Sequence, residues 1–326
     1  MPVTGLLLAL LAVIAASAGP ATAQVYPSRP ITIVVAAPAG GPTDTIARIM
    51  AERMRISLGQ AVVIENAFGG ASGSIGVGRA ARAAPDGYTL SIGHWGNYVA
   101  NSALYSLPYD PSKDFEPVAL IADSPQIIVS KNALPAKDLR ELIAWLKANS
   151  DKALAASAGS GSPPHVAGLF LQKLTGTRFQ FIPYRGAALA MQDLLAGQTD
   201  FYISNATIAL PHVRDRKIRA YGVTAKTRLT VAPDIPTVDE AGLPGFYFSL
   251  WHAFWVPKNT PRDAIAKLNA AAMYALADPT VRARLSEYGN EIYPQSQQTP
   301  EALGAYHKAE IEKWGPIIKA AGIKGE

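Results

Sequence analysis

Two glycine- and serine-rich turns carry the residue types that could bind an anion. The first, at residues 38–44, follows an apolar run rich in β-branched residues and precedes apolar residues at helical spacing. Gly41 can cap that helix and Pro42 can begin it, because the first helical residue needs no N–H. Free N–H groups and the helix dipole would favour a carboxylate at Ala39, Gly40, Gly41, Thr43 and Asp44. The alternative is that Asp44 only caps its own helix.

The second turn repeats this design in the middle of the chain. It offers hydroxyl groups and flexible backbone at Ser157, Gly159, Ser160, Gly161 and Ser162. Two prolines then begin a helix that bears His165. In an open α/β sheet such turns lie at the carboxyl ends of strands, where ligands bind. Two ordinary glycine-rich connections are the alternative interpretation.

Aromatic and polar residues near other strand ends could complete a pocket. Trp95 with Asn97 follows one strand, and Trp251 interrupts another, so either indole could form a pocket wall. Buried core tryptophans are the alternative. Arg185 lies between Tyr184 and Gly186 at a third helix start, where its guanidinium could pair with a carboxylate in bidentate fashion or remain exposed.

The composition excludes several classes of function. With no Cys among 326 residues, disulfides, thiolate zinc sites and cysteine nucleophiles are impossible. The net charge of +5 comes without a long basic run, which argues against nucleic-acid binding. The five histidines are scattered, and neither H-E-x-x-H, G-x-S-x-G nor a phosphate-binding loop is present. We therefore expect no enzyme, no metal and no cofactor; a periplasmic hydrolase or isomerase using His165 and an acid is the alternative.

Length and periodicity predict two α/β domains. At about 150 residues per domain the chain is long enough for two cores, and hydrophobic residues make up 49% of it. Strand, turn and helix patterns alternate along most of the sequence, which is typical of α/β layering. The C-terminal part, from residue 261 on, is predicted to be helical, and residues 246–256 are predicted to form one long aromatic strand.

The N-terminus predicts export. Residues 6–16 form an apolar run too short for the ~20 residues that span a bilayer. Ala-Thr-Ala follows, so we expect a signal peptide at residues 1–23, cleaved after Ala23. The alternative is a buried N-terminal helix. The protein is then expected to be soluble in a bacterial periplasm.

Short motifs are spread along most of the chain. They are Tyr-Pro-Ser-Arg-Pro-Ile at 26–31, Gly-Gly-Pro-Thr-Asp at 40–44, Pro-Asp-Gly-Tyr-Thr-Leu at 85–90, Leu-Pro-Tyr-Asp at 107–110, Asp-Phe-Glu-Pro-Val at 114–118, Pro-Tyr-Arg-Gly at 183–186, Pro-Asp-Ile-Pro-Thr at 233–237 and Ala-Ala-Gly-Ile at 320–323. In this order the motifs resemble those of the Bug family, the TctC-like receptors of tripartite tricarboxylate transporters. Residues 65–69 depart from the family pattern, because Ala and Phe replace its Arg and Pro.

The resemblance implies a two-domain Venus-flytrap of the type II periplasmic binding protein kind. Domain I would comprise residues 24–122 and 250–326, and domain II residues 123–249, with hinges near Ser124-Pro125 and Phe248-Ser249. The family's carboxylate-binding loops match the two turns described above. His165, Tyr184, Arg185 and Asn205 are also implied as ligand-binding residues.

The implied function is capture of a carboxylate between the lobes and its delivery to the membrane subunits of a tripartite tricarboxylate transporter. We expect a monomer that binds no nucleic acid. Because His94-Trp95 and Trp251-His252 are bulky, we expect an aromatic or otherwise bulky carboxylate stacked on one indole. An adaptor that senses a carboxylate for a sensor kinase is a further alternative.

Overall fold

The computed structural model describes residues 26–320, so the predicted signal peptide lies outside the described residues. The strands are β1 (Ile31–Val35), β2 (Val62–Asn66), β3 (Thr89–His94), β4 (Phe115–Asp123), β5 (Gln126–Lys131), β6 (Leu154–Ser157), β7 (Gln180–Pro183), β8 (Phe201–Asn205), β9 (Ile218–Val223), β10 (His252–Pro257) and β11 (Glu291–Ile292). The helices are α1 (Pro42–Leu58), α2 (Ser74–Ala81), α3 (Asn101–Leu104), α4 (Leu139–Ala148), α5 (Pro163–Thr175), α6 (Ala187–Leu195), α7 (Ala206–Arg214), α8 (Arg262–Ala277), α9 (Pro279–Glu287) and α10 (Pro300–Ala320).

The described strands form two mixed sheets, one in each of two lobes. The first has the order β11-β4-β10-β3-β1-β2, and the second has the order β7-β6-β8-β5-β9. In the first sheet β1 runs parallel to β2 and β3, while β10 is antiparallel between β3 and β4. In the second sheet β6 runs parallel to β7 and β8, while β5 is antiparallel between β8 and β9. The predicted α/β class with two lobes is confirmed. The predicted domain boundaries stay predictions.

Helix α1 shows why these elements form where they do. Its apolar residues Ile46, Ile49, Met50 and Met54 recur at helical spacing and are all buried. They pack in a core with strands β1 and β3 and with helix α8. The helix begins after Gly41 and ends at Gly59, whose left-handed φ of 64° a side chain would oppose. The burial of one helix face therefore fixes α1 and holds its N-terminus at the carboxyl end of β1.

The prediction of one long strand at residues 246–256 is wrong. Only His252–Pro257 pairs in a sheet, as β10. The preceding residues cross between the lobes: the N–H of Phe248 donates to the carbonyl of Thr224, and that of Leu250 donates to the carbonyl of Ser124. Phe248 and Trp95 both pack edge-on against Trp314 of α10. The aromatic side chains of this segment pack in a core shared by the lobes and do not extend a strand.

Two glycines in helices test how tightly the loop after β2 is packed. A Cβ at Gly76 would collide with the carbonyl oxygen of Ala67, whereas one at Gly304 would meet only Pro117 Cγ at 3.6 Å. We expect Gly304→Ala to stabilise the protein by up to about 1 kcal/mol through helix propensity. Gly76→Ala should instead destabilise it by about 1–3 kcal/mol through overpacking.

Urea unfolding of both variants measures this difference in the free energy of unfolding. Equal effects of the two substitutions would contradict the close backbone contact at Gly76.

Candidate functional site

The first predicted turn folds back on its own side chains. Gly40 adopts a left-handed φ of 75°, and its N–H donates to Asp44 Oδ2 at 2.8 Å. The N–H of Gly41 donates to the carbonyl of Pro38 at 3.2 Å. The expectation that the amides of these two glycines are free for a ligand is therefore corrected, because groups within the turn already occupy both.

Asp44 organises this turn. Its carboxylate is 2% exposed and also accepts hydrogen bonds from Arg48 Nε and from Asn66 Nδ2, both at 2.9 Å. Burial alone would raise the pKa of Asp44, but the hydrogen bonds from Arg48, Gly40 and Asn66 outweigh it and lower that pKa. The Asp44 side chain therefore positions the loop, and the part of Asp44 that is left for an anionic ligand is its main-chain N–H.

Free donors remain one turn further on. Gly41 caps α1 without a side-chain hydrogen bond, and within residues 26–320 the N–H groups of Thr43 and Asp44 donate to no other group. The Thr43 hydroxyl is held 3.1 Å from Nε2 of His252, which fixes the first turn of the helix against β10. Two main-chain N–H groups at the positive end of a 17-residue helix are therefore available to an anion. The exposed residue Ala39 precedes them.

The second turn presents side-chain donors without partners. Ser157 Oγ, Ser162 Oγ and Asn205 Nδ2 are all buried, and none has a hydrogen-bond partner. Ser157 ends β6 and Asn205 ends the neighbouring parallel strand β8, while Ser162 caps α5. A buried unpaired donor costs about 1–3 kcal/mol, so three at one sheet edge indicate a place for an acceptor.

His165 is held by the main chain of the same turn. Its Nδ1 accepts a hydrogen bond from the N–H of Gly161 at 2.9 Å, so the neutral ring carries its proton on Nε2. Burial lowers the pKa of His165, which keeps the ring neutral. The hydrolase alternative required a carboxylate beside this histidine, but Nδ1 binds an amide instead. The N–H of Ser162 is also taken, by the carbonyl of Gly159 at 3.1 Å.

The second turn contacts the first lobe near the start of α1. The Tyr105 hydroxyl donates to the carbonyl of Ser160 at 3.3 Å. A Cβ at Gly96 would lie 2.7 Å from His94 Cε1 and 3.4 Å from Pro163 Cγ, so the start of α5 reaches the first lobe here. The His94 ring in turn lies 5.8 Å from that of His252, the residue that contacts Thr43. These contacts bring the start of α5 close to the residues that hold the start of α1.

The predicted aromatic walls are corrected by the structure. Trp95 and Trp251 are both fully buried. Trp95 packs edge-on against Phe248 and Trp314, and Trp251 packs edge-on against Tyr306, 5.6 Å between centroids. Because neighbouring side chains cover both rings, neither indole is open to stack on a ligand.

Asn97 stabilises the loop beside the gap. Its Oδ1 accepts from the N–H of His94 at 3.1 Å, and its Nδ2 donates to the carbonyl of Ser72 at 2.7 Å. Both ends of this buried amide are therefore engaged, which corrects its predicted role as a ligand-binding residue. It joins the turn after β3 to the turn after β2.

The third predicted segment, residues 184–186, connects β7 to α6 in the second lobe. The N–H of Tyr184 donates to the carbonyl of Ser157, and burial, followed by a hydrogen bond to Asp193, raises the pKa of Tyr184 to about 12. Gly186 caps α6 with a φ of 113°. Arg185 is exposed, and its side chain forms no hydrogen bond or ion pair with any described residue.

Sequence reasoning missed two residues that shape this site. Asn66 was seen only as part of a loop that departs from the family pattern, yet it holds Asp44. Tyr105 carried no local signal, because its contact with Ser160 spans 55 positions. An asparagine at the end of a strand, where its side-chain amide can hydrogen-bond to a neighbouring turn, is the kind of signal that could have drawn attention to Asn66.

The chemistry of the assembled groups is that of an anion site with neutral donors. It offers main-chain N–H groups on one lobe, and hydroxyl and amide donors on the other. Among residues 26–320 no three His, Asp or Glu side chains converge on a metal position. No helix in that same range is long and apolar enough to cross a membrane.

Comparisons with known proteins identify the family of this chain. The family model described as the tripartite tricarboxylate transporter family receptor, TctC, matches residues 46–323. A curated relative, the UPF0065 protein in the TAR-I ttuE-ttuC' intergenic region of Agrobacterium vitis, is 42% identical over 298 residues, covering 91% of this chain and 86% of its own.

Solved structures of similar proteins share the two-lobe fold. The periplasmic binding protein BugD is 40% identical with a TM-score of 0.81, covering 92% of this chain and all of its own. MatC from Rhodopseudomonas palustris, solved with bound malate, is 38% identical with a TM-score of 0.81, covering 90% of this chain and all of its own. Rpa4515 from R. palustris, solved with adipate, is 30% identical with a TM-score of 0.83, covering 92% and 100%.

These similarities confirm the expected periplasmic binding protein architecture and the family suggested by the sequence motifs. The relatives are named as solute receptors and not as enzymes. This chain belongs to the TctC family of tripartite tricarboxylate transporter receptors, the Bug-type periplasmic solute-binding proteins.

Proposed function

We propose that this protein captures a small aliphatic carboxylate between its lobes and delivers it to the membrane subunits of a tripartite tricarboxylate transporter. The observation that carries the proposal is the group of buried, unpartnered donors at Ser157, Ser162 and Asn205 in the second lobe, together with the free N-terminus of α1 in the first. One carboxylate would accept from the hydroxyl and amide groups of the second lobe. A second carboxylate would accept from the N–H groups of Thr43 and Asp44.

The donors suit a ligand that must be released again. Hydrogen bonds to a charged acceptor contribute about 1.5–3 kcal/mol each, and a few of them give micromolar affinity, about −8 kcal/mol. No buried cation is needed, because the helix dipoles supply positive potential at both turns. Arg185, exposed and unpaired, stands where it can attract the anion before the lobes close.

The ligand class differs from the bulky acid expected from sequence. Since Trp95 and Trp251 are covered, nothing at the turns favours an aromatic ring. Relatives solved with malate and with adipate support an aliphatic dicarboxylate as the class. We propose export by a signal peptide cleaved after Ala23 and action as a monomer, because the ligand site is formed within one chain.

Introducing one negative charge at Asn205, without removing the hydrogen bond that caps α7, tests the donor site. In Asn205→Asp the Oδ1 that accepts from the N–H of Thr207 is kept, while the free Nδ2 donor becomes a carboxylate oxygen. We expect the affinity for malate or adipate to fall by at least about 100-fold, since a donor is lost and like charges repel. Isothermal titration calorimetry measures this.

Asn259→Asp is the matched control for this substitution. It adds the same charge in an exposed turn of the first lobe and should leave the affinity unchanged. If Asn205→Asp binds these acids as tightly as Asn259→Asp does, the carboxylate does not contact Asn205.

The charge of Asp44 makes the stability of the fold depend on pH. Because hydrogen bonds lower the pKa of Asp44 in the folded protein, this carboxylate stabilises the fold above its unfolded pKa, near 4. That contribution is lost as the pH falls through the lower folded pKa. Asp44→Asn should therefore reduce the free energy of unfolding by about 1–3 kcal/mol at neutral pH, and by less as the solution is acidified below about pH 4.

Urea unfolding of both proteins at several pH values measures this difference. A difference between wild type and variant that does not depend on pH would contradict the assigned role of the Asp44 charge.

A further inference from the structure

A second cavity lies at the hinge, apart from the carboxylate gap. It has a volume of about 490 Å³ and lies between the segments that cross from lobe to lobe and helix α10. The charged residues that line it are Asp123, Lys226, Glu291, Glu310 and Lys313, and Tyr306 lines it as well. This size suits a small organic molecule.

The charges of this hinge cavity are arranged by depth. Asp123, Glu291 and Glu310 are half-buried, whereas Lys226 and Lys313 are exposed. The Nζ of Lys226 lies 5.3 Å from the centroid of the Tyr247 ring, and that of Lys313 lies 4.8 Å from the Trp314 ring. The inner wall is therefore acidic, and the lysines lie toward the solvent.

These charges are only partly compensated. Across residues 26–320, none of the three acids forms an ion pair within 4.0 Å, and neither does Lys226 or Lys313. Burial raises the pKa of Glu310, and the charge of Lys313 offsets only part of that rise. Half-buried carboxylates without an ion pair are costly, because burial and mutual repulsion both disfavour the charged form.

Asp123 shows this cost most clearly. Its Oδ1 is buried and has no hydrogen-bond partner. Burial, followed by repulsion from Glu310 and Glu291, raises the pKa of Asp123 to about 6, despite hydrogen bonds from Ser249 and Tyr293. The Glu310 carboxylate is also held in place, since Oε2 accepts from Trp251 Nε1 at 3.1 Å.

We propose that the hinge cavity binds a small organic cation, with an ammonium group at the inner carboxylates of Asp123 and Glu310. The half-buried Tyr306 ring at the same wall suits the methylene groups and the charge of an alkylammonium ion. Among the described residues no three His, Asp or Glu side chains converge on a metal position, which favours an extended organic cation over a metal ion.

This inference does not depend on the proposed carboxylate ligand, because the hinge cavity shares none of the donor residues of the gap. It is tested with 1,5-diaminopentane as the probe and 1,5-pentanediol as a neutral molecule of the same length. Calorimetry of the full chain at about pH 8, where Asp123 is ionised, should show saturable binding of the diamine and none of the diol.

Asp123→Asn and Glu310→Gln should each weaken diamine binding by at least about tenfold. Both are nearly isosteric, and their folding is checked by thermal unfolding followed by circular dichroism. Asp151→Asn, at an exposed residue of the second lobe, is the matched control and should bind like wild type. The proposal is overturned if the diamine does not bind, if the diol binds equally well, or if both cavity variants bind like Asp151→Asn.

Discussion

The proposed ligand site depends on buried polar groups that have no hydrogen-bond partner within the protein. A buried hydroxyl or amide donor without a partner costs about 1–3 kcal/mol, and folded proteins leave few of them. Among the buried donors without a partner, Ser157 and Asn205 lie at the carboxyl ends of β6 and β8, and Ser162 lies at the start of α5. In the proposed function a carboxylate would accept hydrogen bonds from these groups, and binding would remove the cost of leaving them unpaired.

The fold places these donors by using one plan twice. Each lobe has adjacent parallel strands whose carboxyl ends meet at the gap, followed by a helix that begins with proline. Such a helix start leaves N–H groups unpaired and directs its dipole toward the space between the lobes. The side chain of Asp44 positions the first turn, because it forms a hydrogen-bonded network with Arg48 and Asn66.

The sequence was informative where structure is decided locally. Glycine and proline mark both turns, and the periodicity of Ile46, Ile49 and Met50 predicts the helix that follows the first. Motif order was sufficient to identify the family. Local patterns are weaker where proline intervenes, because Pro117 interrupts the apolar run of strand β4 and Pro211 lies inside helix α7.

Features that depend on distant contacts could not be predicted in this way. Trp95 and Trp251 follow or precede strands just as pocket residues do, but α10, far along the chain, covers both rings. The free Nδ2 of Asn205 becomes meaningful only because β8 lies beside β6. Likewise, the amides of Gly40 and Gly161 looked available until the side chains of Asp44 and His165, four residues later in each turn, were seen to occupy them.

The account is tested most directly by a crystal structure of the complex with malate. It predicts one carboxylate within about 3.2 Å of Ser157 Oγ, Ser162 Oγ and Asn205 Nδ2, and the other at the N–H groups of Thr43 and Asp44. A ligand held instead by Arg185 alone, with those donors still unpaired, would contradict it.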